Sequence, residues 1–564
     1  MARLFETRNR LKVVTLNGLW QMSADPESRG ERGNWSVDFP ENADYMMIPS
    51  CFNNELSYYH YEGDVWYRRL FSVQGGNIAL KFNAVAHETT VYFDGKEIAR
   101  HYGGFLPFHV FLHDVTPGEH NLVLRVNNVH NQIDTIPQAR TDWFHYGGII
   151  RDVELFPLEK LFVEHFHLGY TLSEQRVELK PVADIYSYSP NAMETELIIR
   201  TGQNQQLFSK QVTLQPGQNT LELGSIILEN VELWDMDHPC LYSFTLDAGQ
   251  DDYTERTGFR TVSKADGAVY VNNRPVTLCG VNRHEEHPDW GFAFPDKLLR
   301  QDVEILRKMG CNSVRNSHHT PGEAFLDLCD QFGILVWDEI PMSNFSEEQL
   351  ANETVIRRAA SMVTEMVERD FNRPSVIIWS LLNECDTRTE AGHAMVKLLA
   401  DKVRAVDRSR LITYATCEPL TDICYQLVDL VCINQYFGWY SGTPEDWNQF
   451  LAALRNKMKA DGVSDHPMII SEYGAAGIYG DRGFEPRKWS EQYQSTVVEY
   501  ATDLFLREKA AGMFIWQFCD ARTCKQNDAT RARSFNNKGI LNEYRKPKQA
   551  FWAVKKLYES YHKS

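Results

Sequence analysis

No CxxC pair occurs in the sequence, although it carries eleven cysteines, an odd number set mostly inside apolar runs. Zinc and dithiol redox motifs are therefore not expected, and buried, reduced thiols in a cytoplasmic protein are. Positive charge is in deficit: 58 lysines and arginines stand against 76 aspartates and glutamates, a formal net charge of −18. That argues against a nucleic-acid partner, which needs a basic face to meet phosphates. A small anionic substrate stays compatible, because one local cation can bind it. No apolar run has the length of a membrane-spanning helix, and the first twenty residues hold no apolar stretch of signal-peptide length. No membrane partner is expected. Internal repeats and low-complexity tracts are also missing. The length is too great for one core and implies roughly two to four domains.

What is present falls into three rhythms. Residues 1–160 alternate as short strands, among them IALKF at 78–82, TTVYF at 89–93 and NLVLRV at 121–126. Asp94-Gly95 after VYF is a hairpin signal. A jelly-roll β-sandwich is expected. Residues 161–263 give a second run of alternating strands, with METELIIRT at 193–201 and LYSFTLDAG at 241–249; their number and spacing suit an immunoglobulin-like β-sandwich. From 264 to 564 strands alternate with helical patterns. The strands are VTLCGVNRHE, CNSVRNSH, ILVWDEI, SVIIWSLLNE, LITYATC, LVCINQY, PMIISEYG and GMFIWQF. Leu298, Leu299, Val303, Leu306 and Met309 mark a helix over 296–309. Eight such strands spell a C-terminal (β/α)8 TIM barrel.

In a barrel of this kind function sits where strands pass into the following loops. Those positions carry Asn282, Arg283, His284 and Glu285, then Ser317, His318 and His319, then Asp338 and Glu339. Asn383 and Glu384, Asn434 and Tyr436, Glu472 and Tyr473, and Trp516 and Asp520 follow. Glu339 reads as a structural ion-pair member, and Trp337 and Trp516 also fit a core. The carboxylates Glu384 and Glu472, from strands four and seven, are the pair that glycoside hydrolysis requires. Tyr436 is placed to hydrogen-bond the nucleophile and hold it ionised. Trp516 offers a face to a sugar ring.

These residues lead to a family. LNGLW at Leu16, WYRR at Trp66, GVNRHE, CNSVRNSHH, SVIIWSLLNE and MIISEYG stand in order along the chain. The sequence resembles glycoside hydrolase family 2 over essentially its whole length. Within that family NQYFGWY at 434–440 and Asn536-Asn537-Lys538-Gly539 resemble segments of the β-glucuronidases. The resemblance implies a retaining exo-β-glucuronidase that needs no cofactor and no metal, and a dimeric or tetrameric homo-oligomer. It implies Glu384 as acid/base and Glu472 as nucleophile. Asp142, His318, Asn383, Tyr436, Tyr440, Trp516, Asn536 and Lys538 are the implied substrate-binding residues, with Lys538 and Asn536 on the uronic carboxylate. Arg533 is the candidate arginine ahead of that motif, with Arg531 as the alternative.

The sequence also departs from the family pattern. Trp516 to Lys538 is slightly longer than in the best-known members, and residues 341–353 are short, so a loop that contacts aglycones in some relatives is expected to be absent. Ile340-Pro341-Met342-Ser343 replaces the metal-binding pattern of the family's β-galactosidases. The alternatives are a β-galacturonidase or dual hexuronidase, then a β-galactosidase, and last a non-catalytic carbohydrate-binding protein.

Overall fold

A computed structural model describes residues 3–563; Met1, Ala2 and Ser564, which the first and third segments include, lie outside the described residues. The first segment forms two packed antiparallel sheets. One runs Val14–Thr15, Val153–Leu158, Gly76–Phe82, Phe108–Val115; the other runs Asp44–Ile48, Gly18–Asp25, Asp64–Val73, Gly118–Asn127, Glu88–Phe93, Lys96–Tyr102. Leu122, Leu124 and Val126 fill the space between them with Trp20, Ile78 and Leu80, as their alternation requires. Phe93 pairs with Lys96 across Asp94 and Gly95, whose φ angles are 48° and 80°. Both central residues are left-handed, the conformation that matches a tight turn to the strand twist.

The second segment packs the sheet of Leu161–Ser173, Arg176–Ser187 and Gly217–Glu222 on that of Gln206–Leu214, Met193–Thr201, Tyr242–Asp247 and Asp252–Thr257. Arg176–Ser187 buries nearly every second residue: Val177, Leu179, Ala183 and Ile185 face Leu197, Ile199, Phe244 and Leu246.

The third segment closes into a barrel of eight parallel strands: Leu278–Arg283, Ser313–Asn316, Leu335–Glu339, Val376–Asn383, Leu411–Thr416, Val431–Asn434, Met468–Tyr473 and Gly512–Ile515. The helix over Asp296–Met309 forms with the expected bounds. Two helices that periodicity left unassigned, Asp446–Ala460 and Glu491–Arg507, follow strands six and seven. Strand one is shorter than expected. Val276 belongs to a three-stranded antiparallel sheet, Val262–Ala265, Ala268–Val271 and Arg274–Val276. Val269, Val271 and Val276 of that sheet pack on Trp337, Ile378 and Phe514 and close the barrel floor. Their apolar character serves that floor, so an apolar run alone does not separate it from the barrel strand.

Strand four, Val376–Asn383, is buried along its full length, which suits a parallel strand covered on both faces. The first segment reaches over the mouth of the barrel. Gln138 donates to the carbonyls of Ser343 and Asn344 at 2.9 and 2.7 Å, and Tyr146 donates to Glu286 at 2.8 Å. Residues 341–353 hold one short helix, Glu347–Leu350, capped by Ser346, and end at the first residue of the helix Glu353–Asp370.

Candidate active site

Glu384 follows the last residue of strand four with a φ of 49°. A left-handed conformation in a residue with a Cβ costs on the order of 1–3 kcal/mol and is held by its surroundings. Here the Glu384 N–H donates to the Ala415 carbonyl at 2.8 Å. The turn sends the carboxyl into a cavity of about 660 Å³ at the barrel mouth. Asn434, from the end of strand six, donates to Glu384 Oε1 at 2.9 Å and to Asn383 Oδ1 at 3.0 Å. Burial, and next the negative charge of Glu472, push the Glu384 carboxyl up to about 8.

Glu472 occupies a different environment. It is 3% exposed, at the end of strand seven. Its Oε1 accepts from Arg315 Nη1 at 2.8 Å, and its Oε2 accepts the phenol of Tyr436 at 2.6 Å. Burial, and next Glu472 itself, raise the Tyr436 pKa well above its ordinary value, so the phenol stays a donor. Arg315 is fully buried in strand two and donates to four groups. Besides Glu472 these are Asn282 at 2.9 Å, Asn383 at 2.9 Å and Glu339, through Nε and Nη2, at 3.1 Å each. Burial alone would lower the Arg315 pKa; Glu339 and then Glu472 outweigh it and raise it. Burial would likewise raise Glu339, but Arg315 and then His318 bring it below the ordinary carboxylate value. His318 donates from Nδ1 to the Glu339 carboxylate at 2.6 Å and stacks on Trp516 with ring centres 5.1 Å apart.

Two acidic groups of one kind therefore face one cavity in unlike surroundings. One carboxylate is surrounded by donors; the other keeps its proton near neutrality. This is the division that an attacking carboxylate and a proton-donating carboxylic acid require.

The rest of the wall comes from residues far apart in sequence. Asp142, on the first-segment loop, accepts from Arg531 Nη2 at 2.7 and 2.8 Å, from Asn527 at 3.0 Å and from Asn536 at 3.3 Å. Lys538 is 2% exposed, and its ammonium donates to the Tyr440 phenol at 2.7 Å. Among the described residues that ammonium has no carboxylate partner. Asp142, His318, Asn383, Tyr436, Tyr440, Trp516 and Lys538 line the cavity with Glu384 and Glu472, and Asn536 stands behind Asp142.

Arg533 does not join them. Its guanidinium goes to Glu543 and Asn537, each at 3.0 Å, and Arg531 lines the cavity. Arg533 and Ser534 are both left-handed, with φ of 62° and 58°. The turn from Arg531 to Ser534, closed by the Ser534 N–H on the Arg531 carbonyl at 3.1 Å, gives the two arginines different partners. Asn282 and Asn434, read only as strand-end positions, also surround the site, as do Arg315 and Trp143, which sequence reasoning did not select. For Arg315 a signal existed: a charged residue in the middle of the barrel strand SVRN must be paired where it is buried.

Comparison with known proteins agrees with this architecture. Residues 13–159 match the sugar binding domain of glycosyl hydrolases family 2, residues 161–260 match a further domain of that family, and residues 262–563 match its TIM barrel domain. A β-glucuronidase from Paenibacillus borealis is 28% identical, with 96% of this chain and 95% of the relative covered. A β-galacturonidase from Eisenbergiella tayi, solved bound to galacturonate, gives a TM-score of 0.93 at 31% identity over 99% of both chains. A β-glucuronidase from Ruminococcus gnavus, solved in complex with D-glucuronic acid, gives 0.86 at 26% identity over 98% of this chain and 99% of that one. The chain belongs to glycoside hydrolase family 2 and is a glycoside hydrolase.

Proposed function

We propose that this enzyme is a retaining exo-β-glucuronidase. The observation that carries the proposal is the Lys538 ammonium, 2% exposed in the cavity wall and bonded to a neutral phenol. An unpaired buried cation is costly, and the C6 carboxylate of a uronide would supply its partner. A neutral hexoside would leave it unpaired, so the site discriminates between the two. Tyr440 holds the ammonium in place, and Asp142 holds Arg531 at the same wall.

Glu472, as carboxylate, attacks C1 while Glu384 gives its proton to the departing glycosidic oxygen. The C1–O bond to the aglycone breaks and a glycosyl ester with Glu472 forms. Water then attacks C1 and gives a proton to Glu384 while the ester bond from C1 to Glu472 breaks, so glucuronic acid leaves with retained configuration and both glutamates return to their starting forms. Arg315 and Tyr436, each donating to one of its oxygens, orient Glu472 for the first step.

A second reading, β-galacturonide hydrolysis, is favoured by one specific observation. The E. tayi β-galacturonidase is more similar to this chain, in identity and in TM-score, than the R. gnavus β-glucuronidase. The carboxylate clamp serves both sugars, which differ at C4. Rates on the p-nitrophenyl glucuronide, galacturonide and galactoside, measured side by side, test the proposal. We expect the glucuronide to lead and the galactoside to be slowest. A leading galacturonide would move the assignment to the second reading, and a leading galactoside would remove the uronide assignment.

Further assignments accompany this reading. Breaks between the sheets near residues 159–160 and 258–261 support units at 1–160, 161–263 and 264–564, the last catalytic. Eleven unpaired cysteines, most of them buried, support a reducing, cytoplasmic setting. The similarity to P. borealis, E. tayi and R. gnavus proteins supports a bacterial source. Exposed Leu19, Tyr45 and Met47 at one edge of the first sandwich support a homo-oligomer.

A further inference from the structure

A second cavity, of about 390 Å³, lies where the immunoglobulin-like sandwich meets the bottom of the barrel. Four arginines line it, Arg260, Arg404, Arg408 and Arg410, and one carboxylate, Asp407. That carboxylate is already committed. Asp407 Oδ2 accepts from Arg410 at 2.8 Å and from the Trp379 indole at 2.8 Å, and its Oδ1 accepts from Ser409. Asp401, one turn back on the Glu390–Val406 helix, is taken by Lys397 at 2.6 Å. Arg260, Arg404 and Arg408 have no carboxylate partner among the described residues. Arg260 is 3% exposed and donates to the carbonyls of Pro374 and Val376, at 3.0 and 2.7 Å. Arg404 donates to the Leu427 carbonyl at 2.9 Å, and Arg408 to the Arg404 carbonyl at 3.1 Å. Burial, with Arg410 adding to it, lowers the Arg260 pKa to about 10.

Carbonyls satisfy N–H groups but do not neutralise charge. Three arginines that line one concave site thus lack a carboxylate among the described residues, in a chain whose formal net charge is −18. We propose that this cavity binds a phosphate monoester. Guanidinium forks match phosphate oxygens two at a time, and three unmatched cations suit a dianion better than a single carboxylate. The volume lies within the range of small-molecule sites, about 300–1,000 Å³, and leaves space beyond the phosphate. Leu168, Phe371, Pro374 and Val406 supply apolar wall for a small organic group. The ligand would sit at the start of strand four: Arg260 and Arg410 both donate to the Val376 carbonyl, the first residue of that strand. Seven residues later the strand ends in Asn383, next to Glu384, so the site is at the opposite end from the catalytic cavity.

Titration calorimetry and thermal melts of the full chain test this, with inorganic phosphate and glycerol 3-phosphate as probes against sodium chloride of equal ionic strength. Both probes should raise the melting temperature saturably, glycerol 3-phosphate at lower concentration. The double variant Arg404→Gln/Arg408→Gln, at half-exposed and exposed positions, should bind at least about tenfold more weakly and keep wild-type hydrolytic rates. The single variant Arg408→Gln gives the same reading should the double variant fold poorly. Neither probe should raise KM for the glucuronide. An equal response to inorganic phosphate alone would keep the anion site and remove the ester. No rise above the chloride control would overturn the proposal, as would an undiminished rise in the variants or competition with substrate.

Discussion

Arg315 and Glu472 form a buried ion pair at 2.8 Å, between strand two and strand seven of the barrel. The same guanidinium holds Glu339 on its other side. One arginine thus divides its charge between a carboxylate facing the cavity and one behind it. The arrangement gives Glu472 a cationic partner inside a site that pushes the neighbouring Glu384 carboxyl up to about 8.

The first prediction concerns Glu472. Glu472→Gln keeps the side-chain volume and the Tyr436 contact but removes the attacking oxygen. We expect an intact fold and a loss of turnover of several orders of magnitude. A 2-fluoro-glucuronyl reagent should label Glu472 in mass spectrometry. Label found on Glu384 would reverse the two roles.

The pH dependence follows from Glu384. It must be protonated to act as acid, and burial with the nearby Glu472 charge pushes it up to about 8. The competent form is present below that value and is lost above it, so kcat/KM should fall through a basic limb near pH 8. Glu384→Ala should lose that limb on an activated aryl glucuronide, should be most impaired on poor leaving groups, and should yield β-glucuronyl azide when azide is added. Stability carries the same sign. The folded state keeps a proton that the unfolded chain releases near about 4.3, so this group's contribution to stability falls as pH rises from there to about 8. In Glu384→Gln the decrease in melting temperature across that window should be smaller than in the wild type.

In the proposed reading Lys538 sets the preference for uronides. Removing one side of a partly buried charge pair costs on the order of 3–5 kcal/mol. Lys538→Ala should therefore lower kcat/KM on the glucuronide at least about a hundredfold, at about 1.4 kcal/mol per tenfold. Activity on the galactoside should change little, because that sugar makes no use of the ammonium. A parallel fall on both substrates would make Lys538 a structural residue.

The two arginines before Lys538 should separate cleanly. Arg531→Ala unties Asp142 from the cavity wall and should reduce kcat/KM at least about tenfold. Arg533→Ala removes a half-exposed pair with Glu543 and should change kcat/KM less than about twofold and stability within about 1 kcal/mol. Equal losses in the two variants would contradict the placement of Arg531 in the site.

Much of this protein was legible along the chain, because the relevant signals are local. Alternation in VELKPVADIYSY, helical spacing from Leu298 to Met309 and the apolar run before Asn383-Glu384 each report how a short segment buries one face. From such segments the sequence alone determined two sandwiches, a barrel, and carboxylates leaving strands four and seven. Tertiary structure decided which groups meet. Asp142 and Arg531 are 389 residues apart, and nothing near either names the other. The Arg533 displacement hangs on two left-handed residues in a turn whose direction no periodicity encodes. That Lys538 and Arg260 lack carboxylate partners among the described residues is a property of everything folded around them. Burial periodicity is written into neighbouring residues, whereas charge balance in a cavity is set by side chains that only the completed fold brings together.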